Sequence, residues 1–188
     1  THMQSLQAAV VEHGADLGFA LDGDADRCLA VDAEGAIVDG DQILAILTLA
    51  MRDAGRLAHN SVVSTVMANL GFRQAMQRAG VAVVATAVGD RYVLEAMRSF
   101  GYTLGGEQSG HLLFLDHATT GDGIVAALQV IAIMLETGKP LSELAKAAMT
   151  RVPQVLENAN FARRVPIEEM ALTRVAIAKV ESALGTAA

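Results

Sequence analysis

Three aspartates, Asp22, Asp24 and Asp26, stand at alternate positions in LDGDADR, directly after the apolar run Leu17 to Leu21, and Arg27 follows at once. Carboxylates spaced i, i+2, i+4 can curl round one cation only where the backbone turns sharply, and Gly23 and Ala25 permit that turn. Hard oxygen ligands with coordination positions left open suit Mg2+ rather than a soft metal that wants thiolate or imidazole. A calcium EF-hand loop also begins D-x-D-x-D, but Arg27 stands where that loop needs glycine and Ala33 where it needs its closing glutamate. The plainer alternative is a solvated acidic turn, whose three carboxylates would repel one another without a cation. A guanidinium beside a bound cation could hold a phosphate oxygen bidentately, which makes Arg27 part of the same device and phosphoryl transfer the leading chemistry. A simple ion pair of Arg27 with Asp24 or Asp26 is compatible with that role when substrate is absent.

A second constellation is GGEQSGH, Gly105 to His111, between two strand-like segments. Its glycines let backbone approach a ligand closely, while Glu107, Ser109 and His111 alternate and could face one side as readers of sugar hydroxyls. Glu107 or His111 could also move a proton, and surface polar residues in a glycine loop are the competing reading. In AVGDRYV, Asp90 is either the cap of the next helix or a ligand contact, and Arg91 could reach an anion or solvent. TTGDG, Thr119 to Gly123, is explained by capping, and His13, His59 and His117 have no ligand spacing.

These loops need a frame, and the chain reads as alternating helix and strand. Apolar residues recur at helical spacing over 4–13, 42–54, 69–79, 90–99, about 122–136 and 141–149. Short strand-like runs fall at GFALD, CLAVD, SVVSTV, VAVVAT, YTLGG and HLLFL. The pattern predicts an α/β fold: a three-layer, mixed, mostly parallel sheet with helices on both faces, plus partial neighbouring domains. From about Val152 the texture becomes extended and polar, and 167–185 reads as an amphipathic helix without a strand partner. The expected division is 1–40, 41–151 and 152–188, with the first and last as pieces of longer domains.

Composition narrows the partners. Of 188 residues 52% are hydrophobic and 19% charged, which suits a globule with a sizeable core. A formal net charge of -7, with only Arg163 and Arg164 adjacent among the cations, argues against nucleic acid and anionic membrane. No apolar run reaches the roughly 20 residues of a membrane span. A lone cysteine, Cys28, inside an apolar strand reads as a small buried hydrophobe and fits a cytosolic setting. The opening THM looks like a cloning remnant, and no secretory pattern follows it.

Taken together and in order, ALDGDADR, VDGDQI, GDRYV, GGEQSGH and TTGDGI resemble the α-D-phosphohexomutase superfamily, and within it the bacterial branch that acts on glucosamine phosphates. The resemblance runs from about Leu6 to the final helix. It implies a metal-binding second domain, a sugar-binding third and a phosphate-binding fourth around one cleft. It makes Asp22, Asp24 and Asp26 the Mg2+ ligands, sets Arg27 beside the phosphoryl group, and gives sugar contacts to Glu107, Ser109 and His111. The implied reaction is Mg-dependent exchange of phosphate between the sixth and first oxygens of a hexosamine phosphate, through a phosphoserine and a bisphosphate intermediate. No SHNP-like serine loop and no RPSGTEP-like phosphate loop occur in the sequence. The expectation is therefore a piece of such an enzyme, covering the end of domain 2, domain 3 and the start of domain 4, and inactive alone. Edges freed by missing neighbours could promote homodimers.

Mannose, glucose and glucosamine relatives share these loops, so a phosphomannomutase or phosphoglucomutase piece stays open, as does a non-catalytic module that binds Mg2+ and sugar phosphate. A phosphatase of the haloacid dehalogenase type, with Asp22 as nucleophile, is the weaker enzyme reading, because Asp26 stands where its motif expects threonine or valine.

Overall fold

The computed structural model describes residues 3–157 and 165–184, which fall into two compact units, Thr1–Gln154 and Val155–Ala188. Thr1, His2, Arg163, Arg164 and Gly185 lie outside the described residues.

The first unit opens with α1 (Gln4–His13), followed by β1 (Leu17–Leu21), β2 (Cys28–Asp32) and β3 (Ile37–Val38), all paired antiparallel in the order β1-β2-β3. Leu17 lies opposite Asp32 and Leu21 opposite Cys28, so Asp22 to Arg27 is the loop of a hairpin. The alternation of β2 sorts its side chains: Val31 joins Met3 and Val10 under α1, while Cys28 and Ala30 join the main core on the other face. Burial pushes the Cys28 thiol up to about 12, in keeping with its reading as a small hydrophobe.

Next come α2 (Gly40–Asp53), a 3-10 turn (Ala58–Asn60), β4 (Ser61–Thr65), α3 (Leu70–Arg78), β5 (Ala82–Thr86), α4 (Asp90–Phe100), β6 (Leu104–Gly106) and β7 (Leu112–Phe114). They form a second sheet of order β5-β4-β6-β7, parallel at β5-β4 and β4-β6 and antiparallel at β6-β7. After β5 the chain turns back across β4 to reach β6. Parallel crossovers are right-handed, so this reversal puts α3 and α4 on opposite faces. Packing follows suit: Val62, Leu104, Leu112 and Phe114 belong to the core with α2 and α3, whereas Val63 and Leu113 meet Val93 and Met97 of α4. Central β4 is buried along its whole length, as a parallel strand covered on both sides must be. The helix-sheet-helix expectation thus holds for this sheet. The first three strands form a sheet of their own and pair antiparallel, since Asp22 to Arg27 and Ala33 to Ala36 are far too short for the crossover a parallel pair requires.

Helix α2 joins the two sheets. Ile43, Leu44, Ile46 and Leu47 are buried in the main core, and α2 packs against β2, β6 and α3 as well as α5 (Gly123–Thr137) and α6 (Leu141–Ala148). Among the described residues no single helix is long and apolar enough to cross a membrane; α5 and α6 together reach that length but stand at 96° to each other.

In the second unit a 3-10 turn (Ile167–Glu169) precedes α7 (Ala171–Leu184), none of whose residues is buried. The helix expected from 167 therefore begins at 171.

Candidate active site

The hairpin loop of the first sheet curls as its sequence suggests. Ala25 takes a left-handed φ of 60°, a conformation costly for a residue with a Cβ and found where surroundings enforce it. Three hydrogen bonds do the enforcing: the N–H of Ala25 donates to the Asp22 carbonyl at 3.3 Å, that of Gly123 donates to the Ala25 carbonyl at 2.8 Å, and that of Arg27 donates to Asp22 Oδ1 at 3.2 Å. As a result Asp22, Asp24 and Asp26 each place a carboxylate oxygen within 4.8 Å of the others. Arg27 Nε lies 3.6 Å from Asp22 Oδ2 and 3.7 Å from Asp26 Oδ1. The arginine thus pairs with the first and third aspartates, and not with the second, Asp24, which the spacing also allows.

Charge crowding shows in the titration of these groups. The Asp26 carboxyl is pushed above its ordinary range by burial first, then by the neighbouring Asp22 carboxyl and the charge of Asp24, against the pull of His111. At Asp22 burial also acts upward, but the Arg27 N–H and the neighbouring Asp26 carboxyl outweigh it, so that carboxyl sits low. Asp26 Oδ1 is buried and accepts no hydrogen bond among the described residues, with Arg27 Nε standing off at 3.7 Å. A buried, unsatisfied carboxylate oxygen beside two further carboxylates is an arrangement that a hard cation would complete.

The second sheet brings the other loops to the same place. In an open α/β sheet the crevice lies outside the carboxyl ends of the strands, where successive crossovers leave to opposite faces. Here the ends of β4, β5 and β6 frame a cleft of about 410 Å³ lined by Arg27, Thr65, Met67, Val88, Gly89, Asp90, Glu107, Gln108 and Ser109. Glu107 Oε1 accepts the Gly89 N–H at 3.0 Å, tying the GDRYV loop to the GGEQSGH loop. Ser109 and Arg27 also border an adjoining hollow with Asp22, which connects the cleft to the aspartates.

The loop Glu107 to His111 is held from behind. The Gly40 N–H donates to the Gln108 carbonyl at 3.1 Å, and a Cβ on Gly40 would run into the backbone of Glu107, Gln108 and Gly110. The Cys28 N–H donates to the Gly110 carbonyl at 3.0 Å, where Gly110 takes a φ of 91° against the Cys28 backbone.

Of the residues expected from sequence, Asp22, Asp24, Asp26 and Arg27 come together, and Glu107 and Ser109 face the cleft beside Arg27. His111 is placed differently. It is buried, turned from the cleft to the aspartate loop, with Nδ1 3.0 Å from Asp26 Oδ2. Asp90 does not cap α4: Gly89 holds the cap position, and Asp90 lies in the first turn at the rim of the cleft. Asp122 caps α5 as expected, accepting from Ile124 and Val125, but its segment also braces the aspartate loop through the Gly123 N–H. Thr65, Met67, Val88 and Gln108 escaped the sequence reading. The first three could have been found from their place at the ends of predicted parallel strands.

Comparison with known proteins identifies the family. Residues 39–152 match the family model described as phosphoglucomutase/phosphomannomutase, alpha/beta/alpha domain III. A phosphoglucosamine mutase of a Nocardioides species is 63% identical over 98% of this chain and 41% of its own length. The same-named protein of Sorangium cellulosum is 60% identical over 98% of this chain and 38% of its own. The chain thus spans about 40% of the length of these curated relatives. Among solved structures, a phosphoglucomutase/phosphomannomutase family protein from Burkholderia thailandensis superposes with a TM-score of 0.70 at 25% identity, covering 77% of this chain and 31% of that one. A model that accounts for more than half of the sequence, and relatives that align with nearly all of it, show that the chain belongs to the phosphoglucomutase/phosphomannomutase family.

Proposed function

We propose that this chain supplies the cation-binding and sugar-reading parts of a phosphoglucosamine mutase, an isomerase that exchanges phosphate between the sixth and first oxygens of glucosamine in the cytosol. The observation that carries the reading is the meeting of three aspartate carboxyls, Arg27 and the Glu107 to Ser109 turn around one cleft. On this reading 1–40 belongs to the metal-binding domain, 41–151 is the sugar-binding domain, in keeping with the family match over 39–152, and 152–188 begins the next.

Asp22, Asp24 and Asp26 would hold Mg2+, for which their all-oxygen donor set and the unsatisfied Asp26 Oδ1 are suited. Bound there, the cation supplies neutralisation of the charge on a transferring phosphoryl group. The Arg27 side chain is 51% exposed and held by ion pairs longer than 3.5 Å, so it can move onto a phosphoryl oxygen without losing a buried contact. Glu107 spends Oε1 on the Gly89 N–H and has Oε2 to offer a sugar hydroxyl, with the exposed Ser109 two residues further along the same loop. Both sit on backbone clamped by α2 and β2, which fixes the sugar's orientation relative to Arg27. The phosphoserine and the second phosphate loop expected of the family have no counterpart in the 188 residues, and we expect the chain alone to convert no substrate.

The test is a chimaera in which these residues replace the matching segment of the Nocardioides relative. Conversion of glucosamine 6-phosphate at a rate comparable with the unmodified relative supports the proposal. A chimaera that folds but converts nothing overturns it, and a preference for glucose or mannose 6-phosphate would move the substrate to the unaminated sugars that the family's name also covers.

A further inference from the structure

We propose that Gln154 is a positioning residue for the cleft: it holds the Gln108 side-chain amide with its nitrogen turned inward, so that Gln108 Oε1 is presented to a sugar hydroxyl as an acceptor beside Glu107 Oε2. This rests on the reading of the Glu107 to Ser109 turn as the sugar-reading part of the cleft.

The orientation of each amide follows from backbone groups, whose donors and acceptors cannot be exchanged. Asn69 is 1% exposed, and its Oδ1 accepts the Gly71 N–H at 2.9 Å and the Val152 N–H at 3.0 Å. Its Nδ2 is therefore the donor, to the Val152 carbonyl at 2.8 Å and to Gln154 Oε1 at 3.4 Å. At Gln154, Nε2 donates to the Met67 carbonyl at 3.2 Å, which demands the same orientation as the Asn69 contact does. Gln154 Oε1 then stands 3.2 Å from the Gln108 amide. An oxygen there would face an oxygen, so Gln108 turns Nε2 to Gln154 and keeps Oε1 for the cleft that it lines.

The segment that carries Gln154 is anchored firmly enough to impose this. Asn69 meets both the N–H and the carbonyl of Val152, as a neighbouring strand would. The Asn69 N–H is itself fixed on buried Asp41 Oδ2 at 2.7 Å, and a Cβ on Gly71 would run into the Thr150 carbonyl. Met67 follows β4 and Gln108 follows β6, and both line the cleft. Gln154 thus ties two walls of the cleft to the chain that leaves the first unit. An acceptor oriented before the sugar arrives costs less ordering on binding.

Methionine keeps the length of glutamine without its polar atoms, so a double-mutant cycle in the chimaera described above separates action through Gln108 from a merely structural role. Gln154→Met is expected to raise KM for glucosamine 6-phosphate about threefold with kcat within about twofold, and Gln108→Met to raise KM about fivefold. The double variant is expected to match Gln108→Met alone, because nothing is left to position. Nitrogen-15 spectra of the 188-residue chain are expected to show the Gln108 side-chain amide signals displaced by Gln154→Met. Signals left in place, a KM unmoved by Gln154→Met, or effects that multiply in the double variant would overturn the positioning role and leave the mutase reading standing. A chimaera that folds but converts nothing overturns that reading and this role together.

Discussion

The tripeptide Asp-Gly-Asp occurs twice, at Asp22–Gly23–Asp24 and at Asp39–Gly40–Asp41, and the two copies have different fates. The first leads a hairpin loop with Asp22 and Asp24 exposed and their oxygens converging with those of Asp26. The second is buried, and each of its aspartates spends one oxygen on a backbone N–H, while Asp39 Oδ2 and Asp41 Oδ1 accept no hydrogen bond among the described residues. Asp39 Oδ1 accepts the Gln42 N–H at 3.1 Å while Gln42 Oε1 accepts the Asp39 N–H at 3.3 Å, a capping box at the start of α2. Asp39 Oδ2 lies 3.4 Å from Arg151 Nε, and Asp41 Oδ2 accepts the Asn69 N–H at 2.7 Å. Carboxylate spacing alone therefore does not make a metal site; what separates the two is that the first copy converges with a third carboxylate, Asp26, whereas the second is divided between the cap of α2 and the Asn69 backbone. Even Gly40 differs from Gly23, which has open space around its α-carbon, by being pressed on the sugar loop.

The widest gap between the two copies should appear in cation binding. Asp24→Asn is expected to weaken Mg2+ binding on the order of a hundredfold, with no loss of stability in the absence of metal, since it removes charge from a crowded loop. Asp39→Asn should leave Mg2+ binding unchanged. Calorimetric titration of both variants checks the contrast, and equal weakening in the two would erase it.

The next effect belongs to the buried copy. Burial pushes the Asp41 carboxyl up to about 6 from its ordinary 3.8, the charge of Asp39 adds to the rise, and the Asn69 N–H with Arg151 and Arg73 oppose it. The fold therefore binds this proton more tightly than the unfolded chain does. The proton's contribution to stability is complete below about pH 4 and is lost as pH rises through about 6. Above that the ionised group costs roughly 3 kcal/mol. Asn at this position keeps an acceptor for the Asn69 N–H without the charge, so Asp41→Asn should be the more stable protein at pH 8, with the difference vanishing towards pH 4. Urea unfolding across that range measures it. A difference independent of pH would mean that Arg151 and Arg73 keep the carboxylate charged throughout.

The same contrast shows how much was legible in sequence. The alternation of helix and strand was readable from the spacing of Leu44, Leu47 and Met51 or from runs such as SVVSTV, because periodicity reports which face is buried. The convergence of Asp22, Asp24, Asp26 and Arg27 was readable too, since a local loop of six residues between paired strands leaves its carboxylates few places to go. Strand direction was recoverable only from loop length. What escaped depends on distant partners. That His111 turns to Asp26 is decided by a bridge between residues more than eighty positions apart, and that Gly40 must be glycine is decided by the backbone of Gln108. The Gly89 cap, which left Asp90 on the cleft rim, turns on one residue's φ, which single-residue propensity does not fix.

The smallest expected effect dissects Asp39 itself, which does two jobs at once. Asp39→Ala removes the acceptor for the Gln42 N–H and the partner of Arg151, and losing a helix cap costs about 1 kcal/mol. The Arg151 side chain is 58% exposed, and an ion pair with so exposed a partner contributes only a few tenths of a kcal/mol. Asp39→Ser restores an oxygen at the cap but not the charge, so it should recover most of what Asp39→Ala loses in urea unfolding. Equal losses for Ser and Ala would show that Arg151, which leads the segment whose Val152 backbone pairs with the Asn69 side chain, anchors α2 more strongly than the capping box does. Neither variant should alter Mg2+ binding, because every oxygen involved serves the start of α2 and none reaches the aspartate loop.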